Sequence, residues 1–155
     1  MSSKTELFQC EIVEKELYFV GTNITAHFLS GFPDAAIKVQ QEFMDRINEI
    51  SNAINKNVLL SPFICNDIIA TYFAGLEVSN LDSIPEGMMG FTVPHTTYAK
   101  VTCTNKTIGE GYDKIFHWMG EKGYIQKMYY AFQIEVFYLD EHAEEEQVEI
   151  LIPIK

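Results

Sequence analysis

Hydrophobic periodicity changes character twice along this chain, in the same order each time, and that repeated change limits the fold to a mixture of α and β. Residues 7–29 are extended: Phe8, Cys10 and Ile12 alternate with Gln9 and Glu11, the two-residue period of a half-buried strand. After a polar break at Glu14-Lys15-Glu16, Leu17 to Val20 leads into Gly21 and the alternating Ile24 and Ala26. Beyond Gly31-Phe32-Pro33 the period lengthens. Phe43, Met44, Ile47, Ile50 and Ile54 make one stripe of an amphipathic helix of roughly five turns. Pro33 and Asp34 suit its first turn, by a preset φ and by a carboxylate near the positive helix end, and Asn52, Asn55 and Asn57 mark its end. A strand is then expected over Ile68 to Val78, followed by a loop from Asn80 to Gly87.

The second half repeats the order. Met88 to Thr104 is extended and bent at Pro94. Thr107-Ile108-Gly109-Glu110 spells a capping box, opening a helix whose buried stripe is Ile108, Tyr112, Ile115, Phe116 and Met119 and which Gly120 and Gly123 close. Met128 to Leu139 has the composition of a strand, Asp140 to Gln147 forms an acidic loop, and Val148, Ile150, Ile152 and Ile154 alternate in a last strand. Phe19 to Ala26 is faintly echoed by Phe91 to Ala99 at the matching place. The expected architecture is α+β; if the faint echo marks a duplication, β-α-β-β units of about 1–80 and 81–155 form an antiparallel, barrel-like sheet. Two main helices lie on one face and a ligand groove on the other. One domain is expected over 1–155, as the length of 155 residues suggests.

Charge removes several classes of partner. Eleven Lys and Arg against 22 Asp and Glu leave a net charge of −11, which repels phosphate backbones and anionic lipid, so neither nucleic acid nor a membrane is an expected partner. No apolar run approaches a membrane span and the N-terminus lacks the apolar core of a signal peptide, which points to the cytoplasm. Cys10, Cys65 and Cys103 form no CxxC and read as reduced, mostly buried thiols. The histidines His27, His95, His117 and His142 have no ligand spacing, so no metal and no cofactor is expected. Phosphate-binding, dinucleotide and nucleophile-elbow motifs are absent.

What stands out is aromatic content of 13%, enough for a ring-lined cavity or a very aromatic core. In a strand over Met128 to Leu139, Tyr129, Glu135 and Phe137 share one face, and both faces are largely apolar. Glu135 would then be a carboxylate among rings, with its pKa raised by desolvation unless something pairs with it. Glu77 poses the same question on the strand ending at Val78, with Phe73 and Gly75 on its face. Trp118 lies to one side of its helix stripe, placed to flank a groove or to cover the core edge.

These residues resemble a family. Ala74 to Met88, then Val93-Pro94, Tyr98-Ala99-Lys100-Val101, the helix ending Trp118-Met119, Ile134-Glu135-Val136-Phe137 and the terminal Ile150-Leu151-Ile152-Pro153-Ile154-Lys155 are similar to the GyrI-like small-molecule-binding proteins. That family includes the effector-binding domains of AraC-type and multidrug-responsive MerR-type activators. The resemblance, which runs from about residue 7 to the end, implies a stand-alone form without a DNA-binding helix-turn-helix. It implies a groove between the two halves in which an acid matching Glu135 meets lipophilic cations sandwiched by rings. Tyr129, Phe137, Tyr98, Tyr112, Trp118 and Tyr72 are the rings placed there, with Glu77 as a second acid. Binding of a hydrophobic, cationic or planar xenobiotic is the leading expectation, by a monomer or weak homodimer. A second is hydrolysis of cyclopropane-bearing, DNA-alkylating natural products, with Glu135 as the catalytic group. A third is a protein partner, as a module of a transcription regulator or a gyrase inhibitor.

Overall fold

Residues 6–155 are described by the computed structural model. Each half contributes three strands and one helix in the same order: β1 (Cys10–His27), α1 (Asp34–Met44), β2 (Val58–Cys65) and β3 (Ile69–Val78), then β4 (Met89–Thr104), α2 (Ile108–Lys122), β5 (Gln133–Tyr138) and β6 (Gln147–Pro153). All neighbouring strands are antiparallel, and the sheet closes into a barrel in the order β1-β3-β2-β5-β6-β4. The halves join twice, β1 to β4 and β2 to β5, and in the first join Phe19 faces Phe91, the residues that begin the sequence echo.

Closure turns one sheet face inward. Phe19, Leu60, Phe73, Val93, Tyr98, Ile134, Val136 and Leu151, drawn from all six strands, pack as the filling of the lumen. The outer face carries the helices. Val39 and Phe43 of α1 pack on Val20, Leu59, Tyr72, Ala74, Leu76 and Val78, while Ile115 and Met119 of α2 pack on Ala99, Val101, Cys103, Val148, Ile150 and Ile152. Phe137 of β5 touches both clusters and so lies on the seam between the halves. Two glycines permit the tightest strand contact. Gly21 and Gly75 face each other across β1 and β3, and a Cβ on either would come 2.2 Å from a carbonyl oxygen of the other strand, so neither position accepts a side chain.

Several expectations need correction. The long first strand runs through the polar break at Glu14-Lys15-Glu16 without interruption. The bend at Pro94 is a bulge, with Leu17 opposite Val93 but Lys15 opposite Thr96, and this extra residue lets Val93 and Tyr98 both face inward. The first helix stops at Met44; Ile47 to Glu49 form a separate 3-10 turn and Ile54 is exposed. β2 carried no period in the sequence because both of its faces are covered, one by the lumen and one by α1. Thr107 starts α2, yet its hydroxyl bonds to Thr104 rather than capping the helix. Gly123 does close α2, at φ 78°, the left-handed C-cap that glycine favours. Cys103 is buried, Cys10 half-buried and Cys65 exposed.

Candidate functional site

Alternation along β5 sends Ile134, Val136 and Tyr138 into the lumen and Glu135 and Phe137 outward beneath the helices. The carboxylate of Glu135 is met from both halves. The Tyr72 hydroxyl, from β3, donates to Oε1 at 2.6 Å, and the Tyr112 hydroxyl, from α2, donates to Oε2 at 2.5 Å. Both lengths lie in the range of charge-assisted O–H···O⁻ bonds. Gln40 of α1 adds an outer layer: its Nε2 donates to the Tyr72 oxygen at 3.3 Å and to Ser61 Oγ at 3.2 Å. Ser61 is fully buried and sits directly across the β2–β5 ladder from Glu135.

Each partner is placed by a local reason. Tyr72 shares the outward set of β3 with Ala74, Leu76 and Val78 and is buried in the α1 cluster, its ring stacked 5.7 Å from Phe63. Tyr112 follows Gly111, whose bare Cα allows α2 to close on Cys103; a Cβ there would stand 2.9 Å from the Cys103 sulfur.

Burial dominates the electrostatics. The carboxyl of Glu135 is crowded by protein, and loss of water pushes its pKa above the ordinary value, while the two phenol donors pull it partly back. Among the described residues no Lys, Arg or His lies within ion-pair distance of it. The same burial, with the nearby carboxylate, raises both tyrosines well above the usual phenol value and holds the Cys103 thiol at about 12. The phenols therefore stay protonated and act as donors.

Beside this cluster a cleft of ≈ 380 Å³ opens between α1 and the end of β5. Gln40, Leu59 and Phe137 line its inner wall, and Met44, Asp45 and Glu146 stand around it. Its charged side chains are all acidic. Gln40, on its wall, is hydrogen-bonded to Tyr72, and Tyr72 in turn to Glu135.

The structure thus brings together Glu135, Tyr72, Tyr112 and Phe137. Trp118 stays near the α2 cluster and stacks on Tyr124 at 5.4 Å, a rim position. Three expected residues fall elsewhere. Tyr98 is fully buried in the lumen, because the Pro94 bulge reverses its phase. Tyr129 is 78% exposed and lies before β5, since the chain from Met128 to Phe132 is irregular and Tyr130 takes φ 61°. Glu77 follows Phe73 and lines a different cleft, on the lumen side. The acid also sits on the helix-bearing side, between α1 and α2, whereas the groove was expected on the opposite face. That opposite face is the lumen, packed with side chains except at the cleft beside Glu77.

Sequence reading missed Gln40 and Ser61. Gln40 falls three to four residues before Phe43 and Met44 on an apolar helix stripe, and a polar group in that place was the available signal. Among the described residues, no group of three or more His, Cys, Asp or Glu could hold a metal, and no helix is long and apolar enough to cross a membrane. Chemically, the cluster is a desolvated carboxyl group that, once ionised, has neutral donors around it and no ion-pair partner among the described residues. Each carboxylate oxygen accepts one phenol hydrogen bond and keeps a second lone pair.

A closed antiparallel barrel with two helices over one side is the architecture of an effector-binding type of fold. Residues 22–154 match the family of integron-associated effector binding proteins (Cass2), and the chain belongs to that family. Solved structures agree on the fold. The integron cassette protein VCH_CASS2 from the mobile metagenome of Vibrio cholerae has a TM-score of 0.64 at 13% identity, over 96% of this chain and 98% of that one. The C-terminal domain of EcmrR gives 0.70 at 12% identity, over 97% and 99%. SAV2435 bound to tetraphenylphosphonium gives 0.65 at 15% identity, over 97% and 94%. No curated protein sequence matches.

Proposed function

We propose that this protein binds hydrophobic, cationic small molecules on its helix-bearing side, with Glu135 as the counter-charge and Tyr72, Tyr112 and Phe137 as the surrounding rings. The observation that carries this reading is a desolvated carboxylate held by two neutral donors with no ion-pair partner among the described residues. Phenols satisfy its hydrogen bonds but leave its charge uncompensated. A lipophilic cation supplies that charge without the hydration cost of a metal or an ammonium ion, and each ring face adds about 0.5–2 kcal/mol. The acidic cleft beside Gln40 gives such a guest a first resting place, from which it reaches Glu135 by displacing Gln40 and Tyr72. SAV2435, which shares the fold, is a structure bound to tetraphenylphosphonium, and that lends support to a cation of this kind.

The test is calorimetric titration of the protein and of Glu135→Gln with tetraphenylphosphonium, beside neutral triphenylphosphine oxide. A unit-charge attraction across about 6 Å at an effective dielectric of about 20 is worth about 3 kcal/mol, so the variant should bind the cation at least about tenfold more weakly while the neutral compound is little changed. Equal affinity of the two proteins for the cation rejects Glu135 as the counter-charge.

A further inference from the structure

The lumen has its own opening, and it is unlike the helix side. A cleft of ≈ 250 Å³ has Leu60, Ile134 and Val136 as its floor, with Lys15, Glu77 and Asn55 also lining it. Ile134 and Val136 point away from Glu135, so this cleft is on the other side of the sheet from the phenol-held acid. Among the described residues neither Lys15 nor Glu77 has an ion-pair partner. Strand register explains why they do not pair with each other. Glu77 faces Phe19 across β1 and β3, and Lys15 lies four residues from Phe19 along β1, about 13 Å away at the rise of a strand. Asn55 uses its Oδ1 on the Asn57 N–H at 2.9 Å, which leaves its amide NH₂ able to donate.

We infer that this cleft is a second binding site, separate from the helix side, for a small zwitterion of apolar dipeptide type. Lys15 receives the carboxylate, Glu77 receives the ammonium, and the apolar floor takes the side chains between them. The charge pattern selects this class. A simple cation or a simple anion leaves one of the two charges unmatched over an apolar surface, whereas a zwitterion satisfies both. An extended dipeptide carries its termini roughly 7 Å apart, and it closes the gap once Lys15 and Glu77 lean inward.

The probe is leucyl-leucine, titrated into the full chain labelled with ¹⁵N and followed by amide chemical shifts. Saturable shifts are expected at Leu60, Ile134 and Val136. N-acetyl-leucyl-leucine and leucyl-leucine amide, which each lack one charge, should bind about tenfold more weakly to the unaltered protein. Glu77→Gln should weaken leucyl-leucine by about the same factor without weakening the acetylated peptide further, and Lys15→Gln should act likewise toward the amide. Glu135→Gln should change none of these affinities, so failure on the helix side and failure here are told apart. Absence of saturation at millimolar peptide, shifts confined to other residues, or indifference to both blocked termini overturns the inference.

Discussion

Glu135 and Glu149 are near neighbours in the β5–β6 ladder, where Glu135 pairs with Ile150 and Val136 with Glu149. Alternation sends one outward beneath the helices and the other into the lumen, and the two are held in opposite ways. Glu149 is 5% exposed and has a cation: Lys100 Nζ lies 3.3 Å from one oxygen, and the Tyr138 hydroxyl donates to the other at 2.9 Å. Lys100 also reaches Glu11 at 3.4 Å. Glu135 has two phenols and, among the described residues, no cation. An acid whose charge is matched inside the fold has no need of a guest. An acid given only neutral donors remains selective for one, because what it lacks is charge and not hydrogen bonds.

The sharpest way to break this comparison is to remove the internal cation. Lys100→Met leaves Glu149 buried and uncompensated, and should cost about 3–5 kcal/mol of stability by urea denaturation. A loss below about 1 kcal/mol would mean that the lumen acid does not depend on its lysine, and the contrast would disappear. Next come the phenols. Tyr72→Phe and Tyr112→Phe each withdraw one donor from Glu135 and should each cost about 1–3 kcal/mol. Both should also raise the Glu135 pKa further, since the donors are what hold it down; carboxyl-carbon NMR titration reads this directly, and a fall would contradict it.

The smallest effect on stability is expected from Glu135→Gln, and it has a sign set by pH. Because the folded pKa of Glu135 is raised above its ordinary 4.5, the native state holds this proton more tightly than the unfolded chain. Stability therefore declines as pH climbs from about 4.5 through the folded pKa and is flat above it. Glutamine has no such slope, so the variant's melting temperature should match the parent near pH 4 and exceed it modestly at pH 8. For the cationic ligand the dependence reverses. Tetraphenylphosphonium should bind the parent more tightly as pH rises through the same pKa, with no such rise in the variant.

The order of elements could be read from local pattern because local pattern was sufficient for it. Alternation at Val148, Ile150 and Ile152, the stripe through Ile115 and Met119, and the glycine stop at Gly123 each depend on a few adjacent residues. β2 could not be read this way, as a strand covered on both faces shows no period. The aromatic site was only partly legible. Glu135 and Phe137 were placed together by alternation within β5, and Tyr72 and Tyr112 were named as rings without any indication that both would donate to one carboxylate. Tyr129 and Tyr98 were misplaced for a common reason: counting by two assumes an unbroken strand, and an irregular turn before β5 and a bulge at Pro94 each disturb the count.

By itself, the amino-acid sequence determined the succession of the helices and of every strand but β2, and the presence of one acid on an otherwise apolar stretch of β5. Those properties arise from neighbours within a turn or two of the chain. The tertiary structure decided which acid acquired a cation and which did not. Tyr72 is 63 residues from Glu135 and Tyr112 is 23, and Lys100 is 49 from Glu149. Contacts at such separations exist only once the sheet has closed, because closure alone assigns one face of each strand to the lumen and the other to the helices.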